Sequence, residues 1–303
     1  MQRRLFVGFL LCLLSEKAYP IAPRDSAFIS RTVVFFFASG PQGHVQKDHL
    51  VATGFLVAVP NKAGADAHFL LVTARHVVDP KWAGCRETNP TRLFVRVNNM
   101  QYAPRQTSVG VSFLPVDLLH NGHRAWTGSE DSTVDVAVLK APLELLSGRY
   151  DVQFLRVRNF GRPEEIAKLG VSSQTASAGL VPGVQGTKRN NPIFHFGKVA
   201  SIPDEPAIFQ CTLGSPSKPL QVWWLATTLV PGTSGSPIYF DPLFPPGGDI
   251  SSGEPRLMLI GLQSLSVPGA DLSGMTPSNL ILDVVRQAVP GDADLSLGLP
   301  PSK

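Results

Sequence analysis

One pattern constrains the fold more than any other: short apolar runs return along the whole chain, and each stops at Gly, Pro, Asn or Asp. RTVVFFFA starts at Arg31, LVATGFLVAV at Leu50, HFLLVTA at His68 and RLFVRV at Arg92. DVAVL follows at Asp135, VQFLRV at Val152, QVWWLATTLV at Gln221, PIYF at Pro237 and RLMLIGLQSLSV at Arg256. Runs of this length, rich in β-branched and aromatic residues and bounded by turn formers, are the pattern of sandwiches and barrels. Strands do not alternate regularly with helices, which argues against a parallel α/β sheet. The 27 glycines and 27 prolines supply the many turns such a chain needs. At 303 residues, 43% hydrophobic and 17% charged, the chain can bury the core of one large domain or two modest ones. Only two segments read as helix. PEEIAKL from Pro163 can make one or two turns, and TPSNLILDVVRQAV offers Thr276 as N-cap, Pro277 at the first helical position and a stripe of Leu280, Val284 and Val285.

The N-terminus, MQRRLFVGFLLCLLSEKA, has two arginines, a ten-residue apolar run from Leu5 to Leu14 and then polar residues. That is the layout of an export signal over residues 1–22, with cleavage after Ala18 or Ala22, and the run is short for a membrane anchor. An exported, periplasmic or extracellular protein is expected, with no membrane attachment once the signal is removed. The formal charge is +4, of which Arg3, Arg4, Lys17 and Glu16 contribute +2. The remainder is too small to point to nucleic acid or a charged membrane surface. Beyond Cys12, only Cys85 and Cys211 remain, either free or joined as one disulfide.

Three segments carry reactive groups. PGTSGSPIYF from Pro231 sets Ser234 in a tight turn of small residues ahead of an apolar run. LLVTARHVV places His76 just after a strand, and STVDVAVLKAP places Asp135 at the entry of another. A nucleophilic hydroxyl needs a base within hydrogen-bond reach, and the base needs a buried carboxylate to fix its tautomer and stabilise its cation. A Gly-Ser turn alone is usually structural. The order His76, Asp135, Ser234 nevertheless matches one known arrangement and excludes another, because no histidine follows Ser234 as an α/β-hydrolase would require. Asp131, in the loop GSEDST, is the rival carboxylate and is expected to be solvated.

TARHVV resembles the TAAHC block of trypsin-like serine proteases, DVAVL their DIALL block and GTSGSP their GDSGGP block. VATGFLV, RNNPIFHFGKVASIPDEP and WWLATTLVPGTSGSP also resemble segments of exported bacterial members, so the likeness spans Arg31 to Val289. It implies an all-β fold of two antiparallel six-stranded β-barrels with a C-terminal α-helix. Residues 28–145 would form the barrel carrying His76 and Asp135, and 146–290 the barrel carrying Ser234 and the closing helix. Residues 291–303 would be a flexible tail. The resemblance implies Ser234 as nucleophile, His76 as base, Asp135 as its orienting partner, and the N–H groups of Gly232 and Ser234 as the oxyanion hole. Thr228 would lie at the base of the specificity pocket, with Thr227 beside it and no carboxylate there for a basic substrate side chain. Ser264, Leu265 and Ser266 would line the substrate cleft.

Two departures from the family stand out. Thr233 occupies the position where animal members carry an aspartate that pairs with a newly cut N-terminus, so no such activation is expected. Val77 stands where those relatives have a half-cystine. The resemblance implies protein or peptide substrates and neither a metal nor an organic cofactor. His120 and His123 flank an Asn-Gly turn and read as a solvated loop, and His195 as a partly buried strand residue. A domain of this type that binds peptides without cleaving them is the competing expectation.

Overall fold

The computed structural model describes residues 23–64, 66–100, 110–211, 214–228, 230, 232–240, 257–267 and 269–295. The expected export signal and most of the expected tail fall outside these residues.

The first half is built on six longer strands: β1 (Val33–Ser39), β2 (Val45–Pro60), β3 (Ala67–Thr73), β4 (Arg92–Asn98), β5 (Val111–Asp117) and, after a hairpin of β6 (Leu119–His120) and β7 (His123–Arg124), β9 (Ala137–Lys140). Two short strands join them, β8 (Trp126–Gly128) and β10 (Leu155–Arg156). The sheet runs β5-β4-β1-β2-β3-β9-β8, with β10 parallel to β2. It is thus an eight-stranded sheet, the six longer strands of the first half with β8 and β10 added. Strand β8 leaves no mark in the sequence because three residues are too few to show an alternating pattern, whereas β10 lies within the apolar run VQFLRV from Val152. Phe35, Phe36 and Phe37 are all but fully buried, as a continuous apolar run bearing on core from both faces should be.

The second half does close. Its barrel runs β11 (Gln174–Gly179), β12 (Ile193–Ser201), β15 (Trp223–Ala226), β18 (Ser273–Pro277), β17 (Met258–Ser266) and β16 (Pro237–Phe240), which returns to β11. A separate hairpin of β13 (Ala207–Phe209) and β14 (Lys218–Leu220) projects between β12 and β15. One large core passes through both halves, taking in Phe55, Leu71 and Val138 from the first and Tyr239, Leu262, Ile281 and Val285 from the second.

Among the described residues there are four α-helical segments: α1 (Pro23–Thr32), α2 (Arg75–Val78), α3 (Pro163–Ile166) and α4 (Ser278–Ala288). The α4 helix starts one residue later than the sequence suggests. Pro277 takes the N-cap place without a side-chain cap, while Thr276 stays in β18 with its hydroxyl bonded to that of Ser264. The α1 helix was not anticipated. Residues 291–294 are also less free than a tail: Lys62 N donates to the Asp292 carbonyl at 2.7 Å and Asp294 N to the Pro60 carbonyl at 2.7 Å.

The halves are further joined by a disulfide between Cys85 and Cys211, 126 residues apart in sequence. Arg96 Nη2 donates to the Gly186 carbonyl at 2.7 Å, and Gln221 Nε2 reaches Asp131 Oδ2 at 2.7 Å. Trp82 lies between two cations, Arg75 from its own half and Lys218 from the β13–β14 hairpin.

Candidate active site

The β3–β9 ladder pairs Thr73 with Ala137. Because the strands are antiparallel, the residues after Thr73 and those before Ala137 emerge from the same end of the ladder, so the register alone brings His76 and Asp135 together. The single turn of α2 holds His76 in place, anchored by the buried side chains of Val77 and Val78. Val134 and Val136, 2% and 0% exposed, fix Asp135 from either side.

Both carboxylate oxygens of Asp135 serve His76. Oδ1 accepts from the His76 backbone N–H at 2.9 Å, and Oδ2 lies 2.7 Å from Nδ1. A carboxylate at that distance places the proton on Nδ1 and leaves Nε2 as the acceptor on the opposite edge of the ring. The side chain of Asp135 is 0% exposed and that of His76 15%. Burial pulls the imidazole pKa down, but the charge of Asp135 and the hydrogen bond to it outweigh that and leave it raised. Asp131 is different: it is exposed and caps its own loop, accepting from Thr133 N at 2.8 Å and Thr133 Oγ1 at 2.7 Å.

The Gly232–Ser236 turn precedes β16, and its peptide groups are tied down one after another. The Gly232 carbonyl accepts from Thr53 Oγ1 at 2.9 Å, and Thr233 N donates to the Val230 carbonyl at 3.1 Å. Ser236 N donates to the Thr233 carbonyl at 2.9 Å, and Thr53 N to the Ser234 carbonyl at 3.0 Å. Gly235 N donates to the Gln263 carbonyl at 2.8 Å. Among the described residues, the N–H groups of Gly232 and Ser234 have no such acceptor. Gly232 has φ 100°, a region that glycine enters without strain. Gly235 has φ 83°, and a methyl group there would collide with the Thr53 carbonyl oxygen and Thr73 Oγ1 and lie 3.1 Å from Ala74 N. The turn therefore presses its backbone against the residues that lead into α2. Ser234 is partly exposed. Its hydroxyl makes no hydrogen bond to His76 among the described residues. Thr233, fully buried, satisfies its own hydroxyl on the Val230 carbonyl, so the turn is held without an ion pair.

The residues expected to bind substrate are placed unevenly. Thr228 is exposed, and its hydroxyl donates to Asp271 Oδ1 at 2.5 Å. This corrects the expectation that no carboxylate stands there: Asp271, on the connection from β17 to β18, turns back onto Thr228. Ser264 is 1% exposed and bonded to Thr276, while Leu265 is 5% exposed within a cluster of Leu220 and Val222 against which Trp82 packs. Of the three, Ser266 alone is partly exposed. A cavity of about 290 Å³ opens beside His76, lined by Val51, Val77, Pro80, Arg86, Leu93 and the Cys85–Cys211 pair. Thr53, Trp82 and Asp271 were not singled out from sequence. For Thr53 a signal existed, since a glycine inside an apolar strand, here Gly54, marks close backbone approach.

No family model matches the sequence, and no curated protein does. Similar solved structures include the MamO protease domain from Magnetospirillum magneticum in its apo form, 14% identical, covering 84% of this chain and 96% of that one with a TM-score of 0.47. The active form of the Rv3671c protease from M. tuberculosis is 16% identical, covering 87% and 83% with a TM-score of 0.48. A serine endoprotease from Yersinia pestis is 13% identical, covering 86% and 65% with a TM-score of 0.46. The chain's own topology, a closed six-stranded antiparallel barrel beside a second, mostly antiparallel sheet with a closing helix, is consistent with the all-β, two-barrel chymotrypsin-like fold.

Proposed function

We propose that the protein is a serine endopeptidase that cleaves peptide bonds through His76, Asp135 and Ser234. The observation that carries this reading is the pairing of His76 with a fully buried Asp135, which leaves Nε2 as the ring's only acceptor, while the Ser234 turn is bonded to Thr53 and packed against Ala74, two residues before His76. In the proposed reaction Ser234 Oγ comes within hydrogen-bond reach of Nε2 and gives it the proton as the oxygen attacks the scissile carbonyl carbon. Negative charge moves to the carbonyl oxygen and is met by the N–H groups of Gly232 and Ser234. As the C–N bond breaks, His76 returns the proton to the leaving amine, and an acyl-Ser234 ester remains. Water then attacks that ester with His76 again as base, releasing the acid and restoring the hydroxyl. Asp135 stays ionised throughout and stabilises the transient imidazolium.

The same reading takes the protein to be exported by the segment at residues 1–22. N-terminal sequencing of the protein recovered from the producing cell's exterior or periplasm tests this, and an intact Met1 there would overturn it.

A fluorophosphonate probe tests the enzyme. The expected result is one covalent adduct on Ser234, lost in Ser234→Ala. Folded wild-type protein that is neither labelled nor able to cleave any member of a peptide library would favour a peptide-binding domain instead.

A further inference from the structure

Three groups of one buried residue, Thr53, make four hydrogen bonds, three of them to the nucleophile turn or to the strand leading to His76. Its N–H donates to the Ser234 carbonyl at 3.0 Å, and its carbonyl accepts from Thr73 Oγ1 at 2.8 Å. Its hydroxyl accepts from Leu180 N at 3.0 Å and donates to the Gly232 carbonyl at 2.9 Å. The direction of that last bond is fixed. Leu180 N can only donate, so the single hydroxyl proton is left for Gly232, whose carbonyl can only accept. Thr53 is 0% exposed and 179 residues away from Gly232 in sequence.

We infer that the Thr53 hydroxyl is a positioning element for the anion-binding turn, an inference that rests on the protease reading above. The peptide between Gly232 and Thr233 is gripped at both ends, by Thr53 Oγ1 on its carbonyl and by the Val230 carbonyl on its N–H. With that plane fixed, rotation about the flanking bonds of Gly232 and Thr233 is what remains to misdirect the N–H groups of Gly232 and Ser234, which have no acceptor among the described residues. Glycine at position 232 makes such rotation cheap, since it crosses between conformations that other residues resist. A donor fixed before the reaction costs no reorganisation when charge develops, whereas a free one must be ordered at that moment. Thr53 belongs to β2 in the first half, so the first half supplies part of the order in a turn that belongs to the second.

The test uses the full mature protein, with a cleavable peptide for kinetics, a peptide boronate as transition-state mimic, and thermal melting for the fold. Thr53→Val keeps the shape and removes the hydroxyl. It is expected to lower kcat about tenfold, less than outright loss of an oxyanion donor, with KM within about twofold of wild type. Boronate affinity is expected to fall by the same factor as kcat/KM, because only interactions made in the transition state are lost. Thr53→Ser keeps the hydroxyl and is expected to restore both within about threefold. If Thr53→Val does not fold, Thr53→Ala makes the same deletion with less branching and is measured in the same way. An unchanged kcat in a folded variant lacking the hydroxyl overturns the inference, as does Thr53→Ser proving as slow as Thr53→Val, which would assign the effect to packing. Wild-type protein that neither cleaves nor takes the fluorophosphonate would sink the protease reading together with this one. A normal wild type beside an unaffected Thr53→Val sinks this one alone.

Discussion

The first half joins His76 to Asp135 using only its own strands: one antiparallel register sends both residues out of the same end of a ladder, and both carboxylate oxygens are used. The Ser234 turn in the second half is assembled differently. Two of the bonds that hold it come from Thr53, across the interface, and Gly235 fits because the Thr53 carbonyl oxygen and the Thr73 hydroxyl leave room for no more than a hydrogen. A pair built on local register should survive changes elsewhere. A turn built on the interface should report every disturbance of how the halves meet. The closed barrel therefore carries the proposed nucleophile, and the open sheet carries much of what orders its turn.

The sharpest way to break this comparison is Asp135→Asn. Asparagine keeps the shape but offers an amide where His76 Nδ1–H needs an acceptor, favouring the wrong tautomer. Turnover of a peptide substrate is expected to fall by about four orders of magnitude while circular dichroism shows the fold intact. A loss smaller than about tenfold would mean that the pair is structural and the base lies elsewhere.

Cutting the covalent link between the halves comes next. The Cys85→Ser, Cys211→Ser double variant is expected to lose about 2–4 kcal/mol of unfolding free energy in urea, because the bridge closes a long loop in the unfolded chain. Fluorophosphonate labelling of Ser234 should persist, since the common core, the Arg96–Gly186 bond and the Trp82–Lys218 contact still hold the halves together. Loss of labelling in the folded double variant would show that the bridge, and not the packed interface, orders the turn.

A smaller effect should appear in the pH profile. His76 must be neutral to act as base, and its pKa is raised because the charge of Asp135 outweighs burial. The acid limb of kcat/KM should therefore have its midpoint above the ordinary imidazole value of about 6.5. The linked stability has the opposite sense. The protonated pair stabilises the fold fully below about pH 6.5, and this contribution is lost as pH rises through the raised folded value. A midpoint below about 6.5 would mean that burial wins and that Asp135 is a weaker partner than its geometry implies.

The sequence makes strand-rich architecture, the His76–Asp135–Ser234 order and the runs that become β15, β16 and β17 readable, because each rests on runs long enough to show a period or a turn. By contrast, QTASAG of β11 shows no apolar alternation and the Thr276–Pro277 end of β18 reads as the start of a helix. The short strand β8 was not readable, since WTG is shorter than any alternation, whereas β10 lies inside the run VQFLRV. The α1 helix leaves two usual marks, Pro23 at the first helical position and Asp25 in the first turn, but it runs directly into the strand-like apolar run beginning at Arg31. Thr53 and Asp271 were hidden for another reason. Their importance comes from partners 179 and 43 residues away, one across the two halves and one within the second, and no local pattern announces a contact between segments so distant in the chain.

The smallest expected effect sharpens the comparison by its absence. Asp131 lies four residues from Asp135 and also touches both halves, through Thr133 in the first and Gln221 Nε2 in the second. The Thr133 hydroxyl, the Thr133 backbone N–H and the Gln221 amide hold its carboxyl below the usual range against a small opposing cost of burial. It is nevertheless exposed, so water can replace each of these partners, and an exposed carboxylate of this kind contributes little to stability. Asp131→Asn is expected to leave peptide turnover within about twofold and unfolding free energy within about 0.5 kcal/mol of wild type. What separates the two aspartates is burial together with a histidine that uses both oxygens, and neither closeness in sequence nor contact across the halves substitutes for that. A collapse of turnover in Asp131→Asn beside a mild effect of Asp135→Asn would exchange their roles and remove the basis for the proposed mechanism.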